Sequence, residues 1–145
     1  MKLTTLFLAL AVSLSTFVVR ADIVAPVAPP ATLADAMKLM SSKLKAITVQ
    51  ATDASKNAQS AVLADEFVAA IAVARTFTPK TVTDLPPAQQ PKQKDLFLQM
   101  IDGASQLGVK LAAAFRANDN AQASQLLNQL VAAKKQGHDT FKPAN

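Results

Sequence analysis

The chain has no cysteine, no tryptophan and no tyrosine, a single histidine, and only three glycines in 145 residues. Each shortage removes a class of chemistry. Without cysteine there are no disulfides, thiolate metal sites, cysteine nucleophiles or C-x-x-C-H attachment sites. One histidine allows a Ser-His-Asp triad in principle, but no G-x-S-x-G turn accompanies it. The fifteen Lys and Arg residues are scattered, and only Lys134-Lys135 are adjacent. No basic run is interleaved with aromatics, which argues against nucleic acid as a partner. Beyond the N-terminus no apolar run is long enough to span a bilayer. Nothing supplies a substrate pocket or a catalytic base, so an enzyme is not expected.

What is present begins with an apolar leader. Met1-Lys2 is a short positive region, and Leu3 to Val19 is mostly apolar but diluted by Thr4, Thr5, Ser13, Ser15 and Thr16. Val19-Arg20-Ala21 then resembles a signal-peptidase site. This pattern predicts a signal peptide over residues 1–21, cleaved before Asp22, and no stable membrane insertion afterwards. The alternative is a membrane anchor, and the run falls just short of the ~18–20 apolar residues that a span needs. Without Lys2 and Arg20 the fifteen basic residues fall to thirteen against ten acids, a net charge of +3. A mildly basic surface suits an acidic protein partner.

The eight prolines mark element boundaries, because proline removes a helical donor and clashes with the preceding turn. Pro26, Pro29 and Pro30 define an N-terminal tail over residues 22–31. Pro79, Pro86, Pro87 and Pro91 share a central linker, Thr78 to Pro91, and Pro143 follows the last periodic segment. Four helices are predicted between these breaks: about Thr32 to Val49, Asn57 to Phe77, Lys92 to Arg116, and from a cap at Asn118 or Asp119 to about Phe141. Leu33, Met37, Met40, Leu44 and Ile47 repeat at four, three, four, three, the seam of a bundle. Leu63, Phe67, Ala70, Ala74 and Phe77 keep the same rhythm. Phe97, Met100, Ala104, Leu107, Leu111 and Ala114 form the third stripe. Leu127, Leu130, Val131, Lys134, His138 and Phe141 lie on or beside the fourth. Gly103, Gly108 and Gly137 fall within helices, either as sites of close approach or as tolerated defects.

Short connections join the first two and the last two helices, which makes each pair antiparallel neighbours. The expected fold is all-α: an antiparallel up-down-up-down four-helix bundle over residues 32–142. In it the start of the first helix and the end of the fourth lie at one level. Met37 and His138 then face each other across the core. A thioether and an imidazole so arranged suit the two axial positions of a haem iron. The same pattern also fits ordinary core filling for Met37 and a solvated His138 near a helix C-terminus.

The local contexts carry a resemblance. Leu33-Ala34-Asp35-Ala36-Met37, followed by Leu44-Lys45 and Ile47, resembles the first helix of the cytochrome b562 family, soluble periplasmic four-helix-bundle haem proteins. The fourth helix is similar in its Gln129-Leu130 step and in a histidine a few residues from the terminus. Phe97, Asp102 and the Pro-rich linker match features of the third helix and its approach. The resemblance spans the chain after the N-terminal tail. It implies a periplasmic electron-transfer protein with one non-covalent haem b per chain, ligated by Met37 and His138. Met40, Phe97, Ile101 and Phe141 would line the pocket, and Lys134 would face a propionate or else snorkel at the surface. It also implies a monomer and redox partner proteins in the periplasm. The chain departs from the family where Gly137 and Phe141 replace tyrosines, Lys134 replaces an arginine, Ile101 replaces an aromatic, and the first connection is about five residues longer. Two further readings stay open: a haem-free periplasmic bundle serving as a binding or stress-response module, and a Cu(I) site built from Met37, Met40, Met100 and His138.

Overall fold

The computed structural model describes residues 28–141. The expected signal peptide, the first part of the proline-rich tail and the residues after Phe141 lie outside the described residues. Those described are all helical, with no strand. The long helices are α1 (Leu33–Gln50), α2 (Asn57–Ala74), α4 (Gln90–Arg116) and α5 (Asn120–Phe141), with a one-turn α3 (Lys80–Thr83) between α2 and α4. None is long and apolar enough to cross a membrane.

Caps start the helices where the side chains supply them. Thr32 Oγ1 accepts the Asp35 N–H at 3.1 Å and donates to the Asp35 carboxylate at 2.7 Å, so α1 opens on a reciprocal cap. Asp53 accepts from both the N–H and the hydroxyl of Ser55, at 2.9 and 2.6 Å, before the 3-10 turn Ala54–Lys56 that leads into α2. Asp119 Oδ1 accepts the Gln122 N–H at 2.9 Å and caps α5. Asn118, just before it, adopts a left-handed φ of 57°, a conformation asparagine tolerates better than most residues.

Three features differ from the sequence reading. Helix α2 ends at Ala74, so Phe77, read as its last inner position, lies beyond it. Pro91 is not in the linker. It occupies the first turn of α4, where its missing N–H forfeits no helical bond. The linker itself is partly helical: α3 follows Pro79, its Val82 is buried, and Gln90 Nε2 donates to the carbonyls of Leu85 and Thr83 at 2.8 and 3.2 Å.

The helices pack in a chain of three close interfaces, α1 on α2, α2 on α4, and α4 on α5. Helices α2 and α4 each serve two neighbours, and their buried faces are wider than one stripe. On α2, Ser60, Ala61, Ala64, Phe67, Ala70, Ile71 and Ala74 are all buried. On α4, Ile101, Gly108, Ala112 and Phe115 are buried beside the expected Phe97, Leu111 and Ala114. Alanines and Gly108 let these backbones approach: a Cβ on Gly108 would stand 2.7 Å from Val68 Cγ2 and 3.1 Å from Phe67 Cδ1. Gly103 and Gly137 have no such neighbour within 4 Å.

Helices α1 and α5 each bury only half of their inner face. Leu44 and Ile47 are buried on α1, while Leu33, Met37 and Met40 remain half-buried. Ala123, Leu126, Leu127 and Leu130 are buried on α5, while Lys134 and His138 are exposed and Phe141 is half-buried. Val131, read beside the inner stripe, is exposed. Among the described residues no close backbone packing joins α1 to α5.

Where the halves are covered, a polar cluster closes the core. Asn57, buried, donates to Asn118 Oδ1 at 3.1 Å and to Asn120 Oδ1 at 2.9 Å. Asn120 returns a 2.9 Å bond to Asn57 Oδ1 and gives a 2.7 Å bond to the Ala51 carbonyl. Elsewhere Gln50 donates to Ser60 at 2.9 Å, Lys43 pairs with Glu66 at 2.6 Å, Arg75 with Asp102 at 2.7 Å, and Arg116 with Asp65.

Candidate functional site

The uncovered halves of α1 and α5 enclose a cavity of about 760 Å³, within the range of small-molecule and cofactor sites. Helix α1 contributes Met37, Met40, Ser41 and Leu44. Phe97, Met100, Ile101 and Ala104 come from α4, and Leu130, Ala133, Lys134, Gly137, His138 and Phe141 from α5. All seven residues singled out from the sequence — Met37, Met40, Phe97, Ile101, Lys134, His138 and Phe141 — line this one space.

The wall is mostly apolar and partly braced. Phe97 and Phe141 meet edge to face with ring centroids 5.4 Å apart, a favoured aromatic geometry. Phe141 is held further by its carbonyl, which accepts a 3.1 Å bond from Thr81 Oγ1 of α3. Phe77, Thr78, Pro79 and Lys80 also line the cavity. The sequence reading put Phe77 on the inner stripe of the second helix and Thr78, Pro79 and Lys80 in the linker, and chose none of them as a site residue. The available signal was the Pro79-Lys80-Thr81-Val82 turn, with proline at its start and one apolar residue to bury.

His138 was expected to face inward. It lines the cavity and yet is exposed, because α1 and α5 leave the space open on its side. Gly137 beside it presents no side chain, and a Cβ there would meet nothing within 4 Å. The two lysines of the lining are occupied. Lys134 Nζ donates to Ser41 Oγ at 2.7 Å, and Lys80 Nζ reaches both oxygens of Asp84 at 2.7 and 2.8 Å. Among the described residues no carboxylate lines the cavity.

Asp102, matched to the family by position, does not line the space. Its carboxylate receives two hydrogen bonds from Arg75 at 2.7 and 3.2 Å, which hold it below the usual carboxylate range and raise the guanidinium of Arg75. On the outer side of α5, Asp139 pairs with Lys135 at 2.6 Å and raises its ammonium.

The donor set limits what the cavity can hold. Among the described residues no cluster of three or more His, Cys, Asp or Glu side chains could bind a bare metal ion. The lining offers one imidazole and three thioethers, from Met37, Met40 and Met100. A metal that arrives with its own equatorial donors needs only two more ligands. An apolar wall, two phenylalanines in contact, one imidazole and three thioethers are the kinds of group that can hold a flat, apolar macrocycle. No protein family, curated relative or solved structure matches this chain.

Proposed function

We propose that this is an exported electron-transfer protein of the periplasm that binds one haem b non-covalently, with Met37 and His138 as axial ligands. The observation that carries the reading is the convergence of seven residues, chosen from sequence context alone, on a single apolar cavity. We propose further that the four long helices form an antiparallel up-down-up-down bundle. The cross-helix pairs support this, since later residues of one helix meet earlier residues of the next: Gln50 with Ser60, Lys43 with Glu66, Arg75 with Asp102, Asp65 with Arg116.

Bound haem would supply reversible one-electron chemistry at iron. Met37 and His138 would both ligate the iron and exclude other ligands, which suits electron transfer over oxygen binding. The Met37 thioether is soft and favours the ferrous state, whereas the His138 imidazole serves both states. Phe97, Ile101 and Phe141 would shield the bound group from water, and each apolar side chain withdrawn from water contributes roughly 1.5–3 kcal/mol. Met40 stands one turn after Met37 on the same wall. Gly137 leaves room beside the histidine where the family carries a tyrosine.

The test is a haemin titration of the exported protein followed by visible spectroscopy. Sharp, split bands on reduction are expected, as for a six-coordinate low-spin haem. Met37→Ala should yield a five-coordinate or weak-field spectrum, and His138→Ala should weaken binding more. Unchanged spectra in both variants would refute the ligand assignment. A flat baseline with an intact helical circular-dichroism signal would overturn the reading in favour of a haem-free bundle. The copper reading has one observation of its own: Met37, Met40, Met100 and His138 all line the same cavity. Stoichiometric Cu(I) binding that haemin fails to displace would select it.

A further inference from the structure

The turn of α5 that carries His138 lies between a weak point and a double tie. Gly137 directly precedes the histidine, and a Cβ there would meet nothing within 4 Å, so packing does not demand a glycine. Glycine weakens a helix because its backbone has more freedom to lose on folding. Beyond the histidine, Phe141 ties the turn to two other elements. Its ring meets Phe97 of α4 edge to face, with centroids 5.4 Å apart, and its carbonyl accepts the hydroxyl of Thr81 of α3 at 3.1 Å. Helix α3 is itself anchored: Val82, next to Thr81, is buried, and Gln90 of α4 donates to the carbonyls of Thr83 and Leu85. The segment leading into α3, Phe77 to Lys80, lines the same cavity as His138.

We infer that Thr81 is a positioning residue for His138. Its hydroxyl latches the last turn of α5 to α3, and Gly137 is the hinge about which that turn swings when the latch opens. The inference rests on the haem reading only for the use made of the imidazole. Residues three apart lie on one face of a helix, so a shift at Phe141 carries the imidazole of His138 with it. The ring contact with Phe97 alone would let the turn pivot about that ring. A second tie, to a different element and through the backbone, removes the pivot and fixes the direction of the turn. The latch thereby sets where the imidazole stands on the cavity wall.

Two measurements on the full chain test this: amide hydrogen exchange without ligand, and haem dissociation after loading with haemin. Thr81→Val keeps the branched shape and removes the hydroxyl. It should speed exchange at the amides of residues 138–141 by about two- to tenfold, the scale of one hydrogen bond, and leave residues 126–130 of the same helix unchanged. Haem should leave the variant faster by about the same factor, with its split bands weakened. Thr81→Ser should restore both. Gly137→Ala stiffens the hinge and should shrink both effects of Thr81→Val, the non-additivity expected of coupled sites. The inference is overturned if Thr81→Val leaves exchange in the last turn unchanged, if it speeds exchange throughout the chain, if Thr81→Ser restores nothing, or if haem dissociation does not follow the local exchange. Should the wild-type protein give no split bands, the haem reading falls and the exchange data alone decide the latch. Split bands with unchanged exchange would keep axial ligation and refute the latch.

Discussion

Around Asn57 the helices are locked by side chains that satisfy one another, whereas around Met37 they stand apart. In the first region Ala51, Asn57, Asn118 and Asn120 exchange four hydrogen bonds, and Phe115, Ala123 and Leu126, near in sequence to Asn118 and Asn120, are buried. In the second, the same two helices, α1 and α5, carry half-buried methionines and an exposed histidine. The residue types differ accordingly. Alanine and asparagine close the first region, since small side chains allow approach and amides can be mutually satisfied. Methionine and phenylalanine line the second, where side chains must tolerate whatever fills the gap. One region makes the fold, and the other keeps room in it.

Five variants would break or sharpen this contrast in ligand-free protein, each read from urea denaturation. Phe115→Ala empties a fully buried site in the closed region and should cost about 3–5 kcal/mol. Met37→Ala trims a half-buried side chain beside an existing void and should cost only about 1 kcal/mol. Equal losses would mean that the two regions are packed alike. Asn57→Leu comes next. It strands the amides of Asn118 and Asn120 and should cost roughly 1–3 kcal/mol, the penalty for unsatisfied buried polar groups. The glycines should then move in opposite directions. Gly108→Ala forces a methyl against Val68 and Phe67 and should destabilise by about 1 kcal/mol, after the gain in helix propensity is deducted. Gly137→Ala meets open space and should stabilise by roughly 0.5–1 kcal/mol. A loss at Gly137 would show that the gap is narrower than described.

The smallest effect concerns the pair that joins the end of α2 to α4. Arg75 depresses the Asp102 carboxyl by hydrogen bonding. A depressed acid contributes stability above its unfolded value and loses it as pH falls through its folded value. Arg75→Gln should therefore lower stability slightly at neutral pH, and the difference from wild type should vanish as pH falls below about 4, leaving a flatter acid limb. The group is exposed, so solvent screens most of the effect. An unchanged acid limb would show that the pair contributes nothing.

Much of the framework was legible because the signals were local. Prolines bounded the helices, Thr32 capped α1, and the four-three spacing identified most of the inner positions. Helix order and the short connections led to the expectation that Met37 and His138 share a region, and both line the one cavity. The one-turn α3 was not legible, because four residues carry too little periodicity to stand out from a Pro-rich linker. Nor was the unequal packing of the four interfaces. All four stripes share one rhythm, and spacing on single helices says nothing about how far apart two of them stand. His138 was therefore read as inward or solvated, and spacing alone did not show that it is both exposed and part of the cavity wall. Ser41 was invisible as a partner of Lys134 because a serine beside a seam has no pattern of its own.

The order of helix packing has a kinetic consequence. Helices α2 and α4 are each gripped by two neighbours, whereas α1 and α5 are each gripped by one. Opening free energies follow such differences in local packing. Backbone amides of α2 and α4 should exchange with solvent only through the rarest excursions of the chain. The outer pair should release theirs earlier, beginning at Leu33 and at Phe141. The histidine that completes the proposed site thus sits on a helix that can lift away without unravelling the centre, so the molecule can breathe at its binding edge while the middle pair holds its register.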